Sequence, residues 1–212
     1  MELIAVFDFD GTLIKKDSMT LLFFRYFHLS IKNIPNIFRL FFETLKYFLK
    51  IYSQKQFKEK FINLVISLSG HKDIDVLFDD FSNYLLGLVF ETAKKKIIKF
   101  RKKGFRTILL SASPELYLEK ISKELGFDEL ICTRTIYNNN KIAISGLNCY
   151  GKDKIRMLLD KYLEDRVAWE GSYCYTDSES DKGLLNLFGN PYIVNNGRFG
   201  KKNPNFKSVI WK

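Results

Sequence analysis

Apolar and polar positions follow two different rhythms along this chain. Residues 3–7 form a short apolar run that ends at the acidic Asp8, which is typical of a buried strand followed by a loop. Residues 18–88 instead place Phe, Leu and Ile at helical spacing. From residue 92 onward, helical and strand patterns alternate. The chain is therefore predicted to carry a helical segment between a first strand and an alternating region.

The alternating region predicts strands that each end at a polar residue. A predicted strand over residues 106–110 precedes Ser111, a helix opens near Lys152, and a further predicted strand over residues 173–176 precedes Asp177. Strands that alternate with helices of about ten residues are typical of parallel β-α-β units, with helices on both faces of one open sheet. We therefore expect an α/β fold.

The same patterns predict how the chain is divided. We expect residues 1–14 and 90–212 to form the sheet domain, and residues 15–89 to form an all-helical cap inserted into it. A length of 212 residues suits one ordinary domain with a modest insertion. The proportions of hydrophobic and charged residues, 46% and 27%, favour a packed core over disorder.

The helical segment is predicted to contain a break and one long amphipathic helix. Pro35 between Asn33 and Asn36 indicates a break between two helices. Beyond it, Arg39, Glu43, Lys46 and Lys50 form a single polar stripe on an otherwise apolar helix. No uncharged run approaches the roughly 18–20 residues that span a bilayer, so we do not expect a transmembrane helix here.

Charge favours anionic partners. The chain has 34 basic and 24 acidic residues and a net charge of +10, which suits phosphorylated metabolites, nucleic acid or an anionic membrane. Because the Phe residues of the helical segment lie at helix-core spacing, nucleic acid is disfavoured. Membrane contact and oligomer packing both stay open for this segment, and the sequence does not indicate an oligomeric state. Its basic residues between 20 and 60 are Arg25, Lys32, Arg39, Lys46, Lys50, Lys55, Lys58 and Lys60, against the acids Glu43 and Glu59.

Cysteine usage favours a reducing compartment. Cys132, Cys149 and Cys174 show neither a C-x-x-C pair nor metal-ligand spacing, so we expect three buried thiols. The first eight residues lack a basic stretch, and their apolar run is too short for a signal peptide. We expect a cytoplasmic protein, with peripheral contact at the inner face of the membrane as an open alternative.

Candidate chemistry lies at the predicted strand ends. Ligands of open parallel sheets bind beyond the carboxyl ends of the strands, which selects Asp8, Asp10, Ser111, Asp177 and Asp181. Clustered carboxylates repel one another unless a cation lies among them. Oxygen ligands without His or Cys point to Mg²⁺, and both histidines fall in the helical segment. We therefore expect a magnesium site and no zinc site.

The remaining polar residues favour phosphoryl transfer. Ser111 precedes a predicted helix whose free N–H groups suit a phosphate. Lys152 lies at another predicted helix start, where a cation is well placed only if an anion shares the position. One aspartate could act as nucleophile and form an acyl phosphate, while a second could transfer protons.

Four motifs in order resemble one known family. The sequence D-F-D-G-T-L that begins at Asp8 resembles the first motif of the haloacid dehalogenase superfamily of phosphohydrolases. Ser111 resembles its second motif, Lys152 its third, and the acidic run from Asp177 to Asp181 its fourth. A helical segment after the first motif is similar to the phosphoserine-phosphatase-like branch, subfamily IB. The resemblance implies a Rossmann-like core with a helical cap over the site.

The resemblance also implies residue roles. Asp8 would be the nucleophile, Asp10 the general acid and base, and Lys152 the cation that stabilises both nucleophile and phosphate. The implied phosphate-binding residues are Thr12, Ser111, Ala112 and Lys152. The implied magnesium ligands are Asp8, Asp10, Asp177 and Asp181.

Asp17 lies near the cap entrance, where phosphoserine phosphatases carry an acidic residue that contacts the substrate amine. A helix N-cap explains Asp17 equally well, so both interpretations stay open. Asp17 stands where those phosphatases carry Glu, and the cap is unusually apolar, so phosphoserine is not the expected substrate. The basic, Phe-rich cap is similar in composition to the branch that includes bacterial phosphatidylglycerophosphate phosphatases.

The sequence thus predicts a Mg²⁺-dependent phosphomonoesterase that hydrolyses a small phosphorylated metabolite through an aspartyl phosphate at Asp8. The substrate could come from envelope lipid or polysaccharide biosynthesis. Two alternatives stay open: a phosphotransferase or mutase that uses the same intermediate, and a membrane-surface binding module.

Overall fold

A six-stranded parallel sheet forms the centre of the molecule, with strand order β3-β2-β1-β6-β7-β8. The structure, a computed structural model, describes residues 1–27, 34–71, 73–138, 141–163, 166–195 and 198–212. The strands of this sheet are β1 (Ile4–Phe7), β2 (Arg106–Pro114), β3 (Glu129–Thr133), β6 (Tyr173–Thr176), β7 (Asn190–Val194) and β8 (Lys207–Val209). A separate antiparallel hairpin consists of β4 (Thr135–Asn138) and β5 (Lys141–Ile144).

Helices cover both faces of the sheet, as the alternating pattern predicts. In β1, Ala5 and Phe7 pack into one hydrophobic cluster, whereas Ile4 and Val6 pack into another on the opposite face. The helices are α1 (Ser18–Tyr26), α2 (Ile34–Phe48), α3 (Gln54–Ser69), α4 (Ile74–Leu86), α5 (Glu91–Lys102), α6 (Glu115–Glu124), α7 (Lys152–Lys161), α8 (Lys182–Leu185) and α9 (Arg198–Lys202). The expected Rossmann-like α/β fold is confirmed.

The described residues between β1 and α5 form the helices α1 to α4, three of which begin at a polar cap. The Asp17 carboxylate caps α1, Asp73 caps α4, and Ser53 forms a reciprocal capping box with Gln56 at the start of α3. Each cap satisfies backbone N–H groups that have no partner within the helix. The boundaries of the cap at residues 15 and 89 stay a prediction.

The predicted helix break is displaced toward the N-terminus. Pro35 lies in the first turn of α2 rather than between two helices, because proline lacks the N–H that is unpaired at that position anyway. The predictions for Lys32 and Asn33 lie outside the described residues.

Within the described ranges, no helix combines the length and apolar character needed to cross a bilayer.

The inserted helices share one core with the sheet domain. The Phe81 ring of α4 meets the Tyr117 ring of α6 edge to face, with centroids 5.2 Å apart, and Tyr26 of α1 packs on Phe81. These residues belong to the same buried cluster as Phe7 of β1. Because aromatic contacts of this kind add to the free energy of burial, the helical segment is held firmly over one end of the sheet.

The register of the central strands brings the predicted site residues to one edge. Phe7 pairs with Leu109 of β2 and with Tyr175 of β6. Asp8 therefore leaves the sheet between these two strands, close to the carboxyl end of each. Parallel strands end at the same edge of a sheet, so the polar residues that follow β1, β2 and β6 converge there.

Candidate active site

A cavity of 690 Å³ lies at the carboxyl edge of the sheet, beneath the inserted helices. Its volume is within the usual range for small-molecule sites. The residues that line it from the sheet domain include Asp8, Asp10, Gly11, Ser111, Ala112, Ser113, Lys154, Asp177 and Asp181. The residues that line it from the inserted helices include Met19, Leu40, Thr44, Tyr47, Phe57, Lys58 and Phe61. The cavity thus has a charged floor and a largely apolar roof.

Asp8, Lys154 and Asp181 form a buried ion cluster on the cavity floor. The Lys154 ammonium lies 3.2 Å from Asp8 Oδ1 and 2.6 Å from Asp181 Oδ2. The three residues are only 8%, 3% and 2% exposed, respectively. Burial disfavours the ammonium charge, but the two carboxylates outweigh burial and raise the pKa of Lys154. The lysine therefore stays charged beside Asp8.

The structure corrects the prediction for Lys152. Lys152 is exposed at the start of α7 and does not line the cavity, whereas Lys154 does. Lys154 lies four residues before the buried Leu158, so both side chains fall on the buried face of α7. Lys152 lies on a different face of the same turn. The lysine assigned to the third motif is accordingly Lys154.

Asp10 is held by hydroxyl groups from both parts of the chain. Its carboxylate accepts hydrogen bonds from the Ser18 N–H at 2.7 Å, from the Ser18 hydroxyl at 3.1 Å and from the Ser113 hydroxyl. The Ser18 hydroxyl also contacts the Tyr117 hydroxyl at 2.8 Å. Burial and the nearby Asp17 raise the pKa of Asp10 to about 6, against the effect of these hydrogen bonds. Asp10 is therefore able to carry a proton near neutral pH.

Thr12 positions Asp177 rather than facing the cavity. The Thr12 hydroxyl donates to Asp177 Oδ1 at 3.3 Å and accepts from the Asp177 N–H at 3.0 Å. Thr12 is fully buried and does not line the cavity. Its predicted contact with phosphate is corrected to this positioning role, while Asp177 itself lines the cavity.

Gly11 makes room for Asp177. Its backbone has a φ of +68°, and a Cβ atom placed there would lie 2.0 Å from Asp177 Oδ2. Only glycine combines this conformation with so close an approach. The Gly11 carbonyl also accepts a hydrogen bond from the Asn195 side chain at 3.3 Å, and Asn195 Oδ1 accepts from the Trp211 N–H at 3.1 Å. The loop after β1 is thereby tied to residues near the C-terminal end of the chain.

Ser111 and Ala112 line the cavity at the end of β2, as the sequence predicts. The Ser111 hydroxyl accepts a hydrogen bond from the Ser113 N–H at 3.1 Å. The strand continues to Pro114 with a shift in its pairing to β3, so Ser113 does not cap α6. Its hydroxyl is instead bonded to Asp10. The predicted phosphate contacts of Ser111 and Ala112 stay a proposal.

Lys58 is a cavity residue that the sequence analysis missed. This lysine of α3 is buried, and its ammonium donates to the Ala112 carbonyl, to Asn148 Oδ1 at 2.6 Å and to Thr133 Oγ1 at 3.5 Å. All three acceptors are uncharged, and burial lowers the pKa of Lys58 to about 8. The sequence did carry a signal for its burial: Lys58 lies four and seven residues before Ile62 and Val65, which are on the buried face of α3.

Asp17 serves as the N-cap of α1. Its carboxylate accepts from the Thr20 N–H at 2.7 Å and from the Thr20 hydroxyl at 2.8 Å. Asp17 also lines the cavity mouth, so the geometry accommodates both interpretations that the sequence left open.

The donor set at the cavity floor fits a hard divalent cation. Burial raises the pKa of Asp8 to about 7, and Asp181, Asp177 and Asp10 add to that effect while Lys154 opposes it. This local excess of negative charge favours a cation. Among the described residues, no three acidic, His or Cys side chains are close enough to enclose a metal by themselves. Mg²⁺ usually takes only one or two carboxylates and completes its shell with water and substrate phosphate, so the arrangement suits it.

The fold and this acidic strand-end cavity define a phosphatase-like class of α/β hydrolases. Residues 5–186 match the model of the haloacid dehalogenase-like hydrolases, and the chain belongs to that family. A probable phosphatase of Mycobacterium tuberculosis is 25% identical over 199 residues, which cover 92% of this chain and 69% of that protein.

Solved structures share the fold over nearly the whole chain. A protein of unknown function from Bordetella pertussis Tohama I superimposes with a TM-score of 0.78 at 18% identity, covering 99% of this chain and 98% of that one. A substrate-bound phosphoserine phosphatase gives a TM-score of 0.66 at 15% identity, with 99% and 93% covered. These likenesses concern the fold.

Replacement of Lys154 tests the buried ion cluster. We expect Lys154→Met to lower the free energy of unfolding by about 3–5 kcal/mol, because it leaves two buried carboxylates without their cation. The matched change Lys152→Met on the exposed face should stay within about 0.5 kcal/mol of the wild type. Urea unfolding measures both, and equal stability of the two variants would contradict the assignment.

The lowered pKa of Lys58 implies that the free energy of unfolding depends on pH. Its folded pKa of about 8 lies below the ordinary 10.5, so between these values the unfolded chain binds the proton that the folded chain has lost. Stability then rises with pH across this window. The unfolding free energy of the wild type minus that of Lys58→Met should increase from pH 8 to 10.5. A flat or falling difference would show that Lys58 is not desolvated.

Proposed function

We propose that this chain is a Mg²⁺-dependent phosphomonoesterase in which Asp8 is the nucleophile. The observation that carries the proposal is the buried Asp8 carboxylate, which faces the cavity while the Lys154 ammonium lies 3.2 Å from its Oδ1. The pair of Asp8 and Lys154 would act on the phosphoryl group alone, so it does not require that the substrate be phosphoserine. A solved phosphoserine phosphatase bearing an analogue of a phospho-aspartyl intermediate shares the fold at a TM-score of 0.66, which supports an aspartate as nucleophile.

In the first step a carboxylate oxygen of Asp8 bonds to phosphorus, and the bond from phosphorus to the substrate's ester oxygen breaks. Asp10 in its protonated form donates its proton to the departing alkoxide. In the second step Asp10 takes a proton from water, whose oxygen bonds to phosphorus. The acyl–phosphate bond breaks, and inorganic phosphate and free Asp8 result.

The other cavity residues would bind and orient the phosphoryl group. Ser111 and the Ala112 N–H would donate hydrogen bonds to its oxygens, and the Lys154 ammonium would balance its negative charge. The carboxylates of Asp8 and Asp177, with the backbone carbonyl of Asp10, would hold Mg²⁺, and Asp181 would support the site through Lys154. Bound Mg²⁺ supplies further charge neutralisation of the phosphoryl oxygens.

The proposed substrate is a small phosphomonoester with an apolar portion. The cavity roof presents Met19, Leu40, Phe57 and Phe61 above the charged floor, and apolar side chains favour a ligand that buries apolar surface. Phosphorylated sugars, glycerol phosphates and lipid-linked phosphates of envelope lipid or polysaccharide synthesis are the candidate classes, and the apolar roof favours the lipid-linked phosphates among them. Asp17 is the proposed contact for a polar substrate group at the mouth.

The same roof favours a second candidate function, transfer to an alcohol. Apolar side chains above Asp8 restrict access of water and admit an amphiphilic acceptor, so a phosphotransferase or mutase would use the same intermediate.

We further propose a cytoplasmic location with peripheral contact to an anionic membrane. The free thiols of Cys132, Cys149 and Cys174 are all buried, which suits a reducing compartment. The basic and apolar composition of the inserted helices supports the membrane contact.

The nucleophile is tested by Asp8→Asn in an assay of phosphate release from p-nitrophenyl phosphate with Mg²⁺. We expect turnover to fall by at least about 10⁴-fold, because the amide cannot form the covalent intermediate. Asp160→Asn, at a 66% exposed side chain on α7, is the matched control and should retain wild-type turnover. EDTA should abolish wild-type turnover and added Mg²⁺ restore it. Undiminished turnover of Asp8→Asn would refute the proposal.

Hydrolysis and transfer are distinguished by product partition. For a hydrolase, p-nitrophenol and inorganic phosphate should appear in equal amounts when glycerol or a longer alcohol is added. A deficit of phosphate, matched by a phosphorylated alcohol, would identify a phosphotransferase.

A further inference from the structure

The outer face of α2 is an apolar stripe that the protein leaves in contact with solvent. Six side chains, five on one side of this helix and one directly after its last residue, are between 41% and 75% exposed. They are Phe38, Phe41, Phe42, Leu45, Phe48 and Leu49. Their positions recur at three- and four-residue intervals, so they form one continuous strip along the helix. Exposed apolar surface of this extent marks an interaction site.

The opposite face of α2 is already in use. Leu40, Thr44 and Tyr47 line the catalytic cavity, and the Tyr47 ring stacks on Phe57 of α3 at 4.7 Å. The helix therefore cannot turn its outer strip inward without removing part of the cavity roof. Both faces of this one helix are apolar for different reasons: the inner face covers the cavity, and the outer strip is free for a partner.

The charges beside the strip are positive. Arg39 and Lys46 lie seven residues apart along the edge of the strip, and the exposed Lys50 follows two residues after the helix ends. The only acidic residue of α2 is Glu43, whose side chain is 15% exposed and lies 3.7 Å from both the Lys46 and the Lys60 ammonium groups. The acid is thus turned inward and neutralised.

These charges decide between two occupants of the strip. A second copy packed antiparallel through the same face would bring two positive edges together, and like charges at an interface are repulsive. In a parallel pair each positive edge would face an edge without an exposed acid, because Glu43 is the only acidic residue of α2. An anionic bilayer offers the opposite charge and an apolar interior. Phe and Leu on one side with Lys and Arg beside them is the pattern of helices that lie in the membrane interface.

We propose that the outer strip of α2 docks on an anionic lipid surface. The docking deepens the membrane contact proposed above by assigning it to one surface, and it does not depend on the proposed phosphatase activity. The catalytic cavity would then lie about one helix diameter, roughly 10 Å, from the lipid headgroups. A phosphomonoester anchored in the bilayer would meet the cavity there.

Vesicle sedimentation of the full chain tests the docking. Vesicles of phosphatidylcholine with one third phosphatidylglycerol should carry the wild type into the pellet, and vesicles of phosphatidylcholine alone should carry much less. The double variant Phe41→Glu/Phe48→Glu should lower the apparent partition coefficient by at least about tenfold, because two rings no longer enter the lipid and two negative charges face it. Added salt should weaken wild-type binding.

The control is Val76→Glu/Ile98→Glu, which makes the same charge change at exposed apolar residues of α4 and α5 and should sediment like the wild type. Neither pair lines the cavity, so both variants should keep wild-type turnover of p-nitrophenyl phosphate, which verifies folding. Wild type that stays in the supernatant, or equal loss in both variants, overturns the proposal. A dimer of the outer strip would also overturn it. In that case analytical ultracentrifugation would show a wild-type dimer that only Phe41→Glu/Phe48→Glu dissociates, and vesicles would bind neither the wild type nor this variant. Sedimentation without turnover would refute the phosphatase proposal and leave the docking intact.

Discussion

The arrangement of the site depends on one buried cation, the Lys154 ammonium between Asp8 and Asp181. A buried carboxylate without a partner would take up a proton or drive the region open. With the lysine in place, Asp8 can lie almost fully enclosed at the end of β1 and still face the cavity. The Thr176 hydroxyl donates a hydrogen bond to Asp181 Oδ2 at 2.9 Å. The three charged side chains are thus held in place at the ends of neighbouring strands and helices.

A second constraint joins the inserted helices to the catalytic edge. The Asp10 carboxylate accepts hydrogen bonds both from Ser18, at the start of α1, and from Ser113, at the end of β2. Lys58 of α3 reaches the Ala112 carbonyl in the same loop. The roof of the cavity therefore carries groups that hold the floor in position. Any movement of the helices relative to the sheet would break these hydrogen bonds, so the geometry of Asp10 and Ala112 reports on the position of α1 and α3.

Part of this site follows from local sequence pattern and part does not. Asp8, Ser111 and Asp177 could be located because each follows an apolar run, and parallel strands end at a common edge. The same reasoning placed the Rossmann-like sheet and the helical segment. Lys154 was missed in favour of Lys152, because motif position was weighed above its place on the buried face of α7. Lys58 was missed because a lysine is rarely buried. The sequence did not predict that β2 extends to Pro114, because Ser113 also suits the N-cap position of a helix. The roles assigned to the cavity residues, and the boundaries of the cap, remain predictions.

Hydrogen bonds from Gly11 through Asn195 to Trp211 couple the loop after β1 to the segment that follows β8. Trp211 also packs on Phe7 and Tyr175, with ring centroids 6.1 and 5.5 Å away, directly behind the two strands that deliver Asp8 and Asp177. Residues near the C-terminal end of the chain thus support the position of Asp8. Affinity handles and fluorescent fusions are accordingly better attached at Met1, which is 90% exposed, than behind Lys212, whose carbonyl accepts from Thr92 at the start of α5.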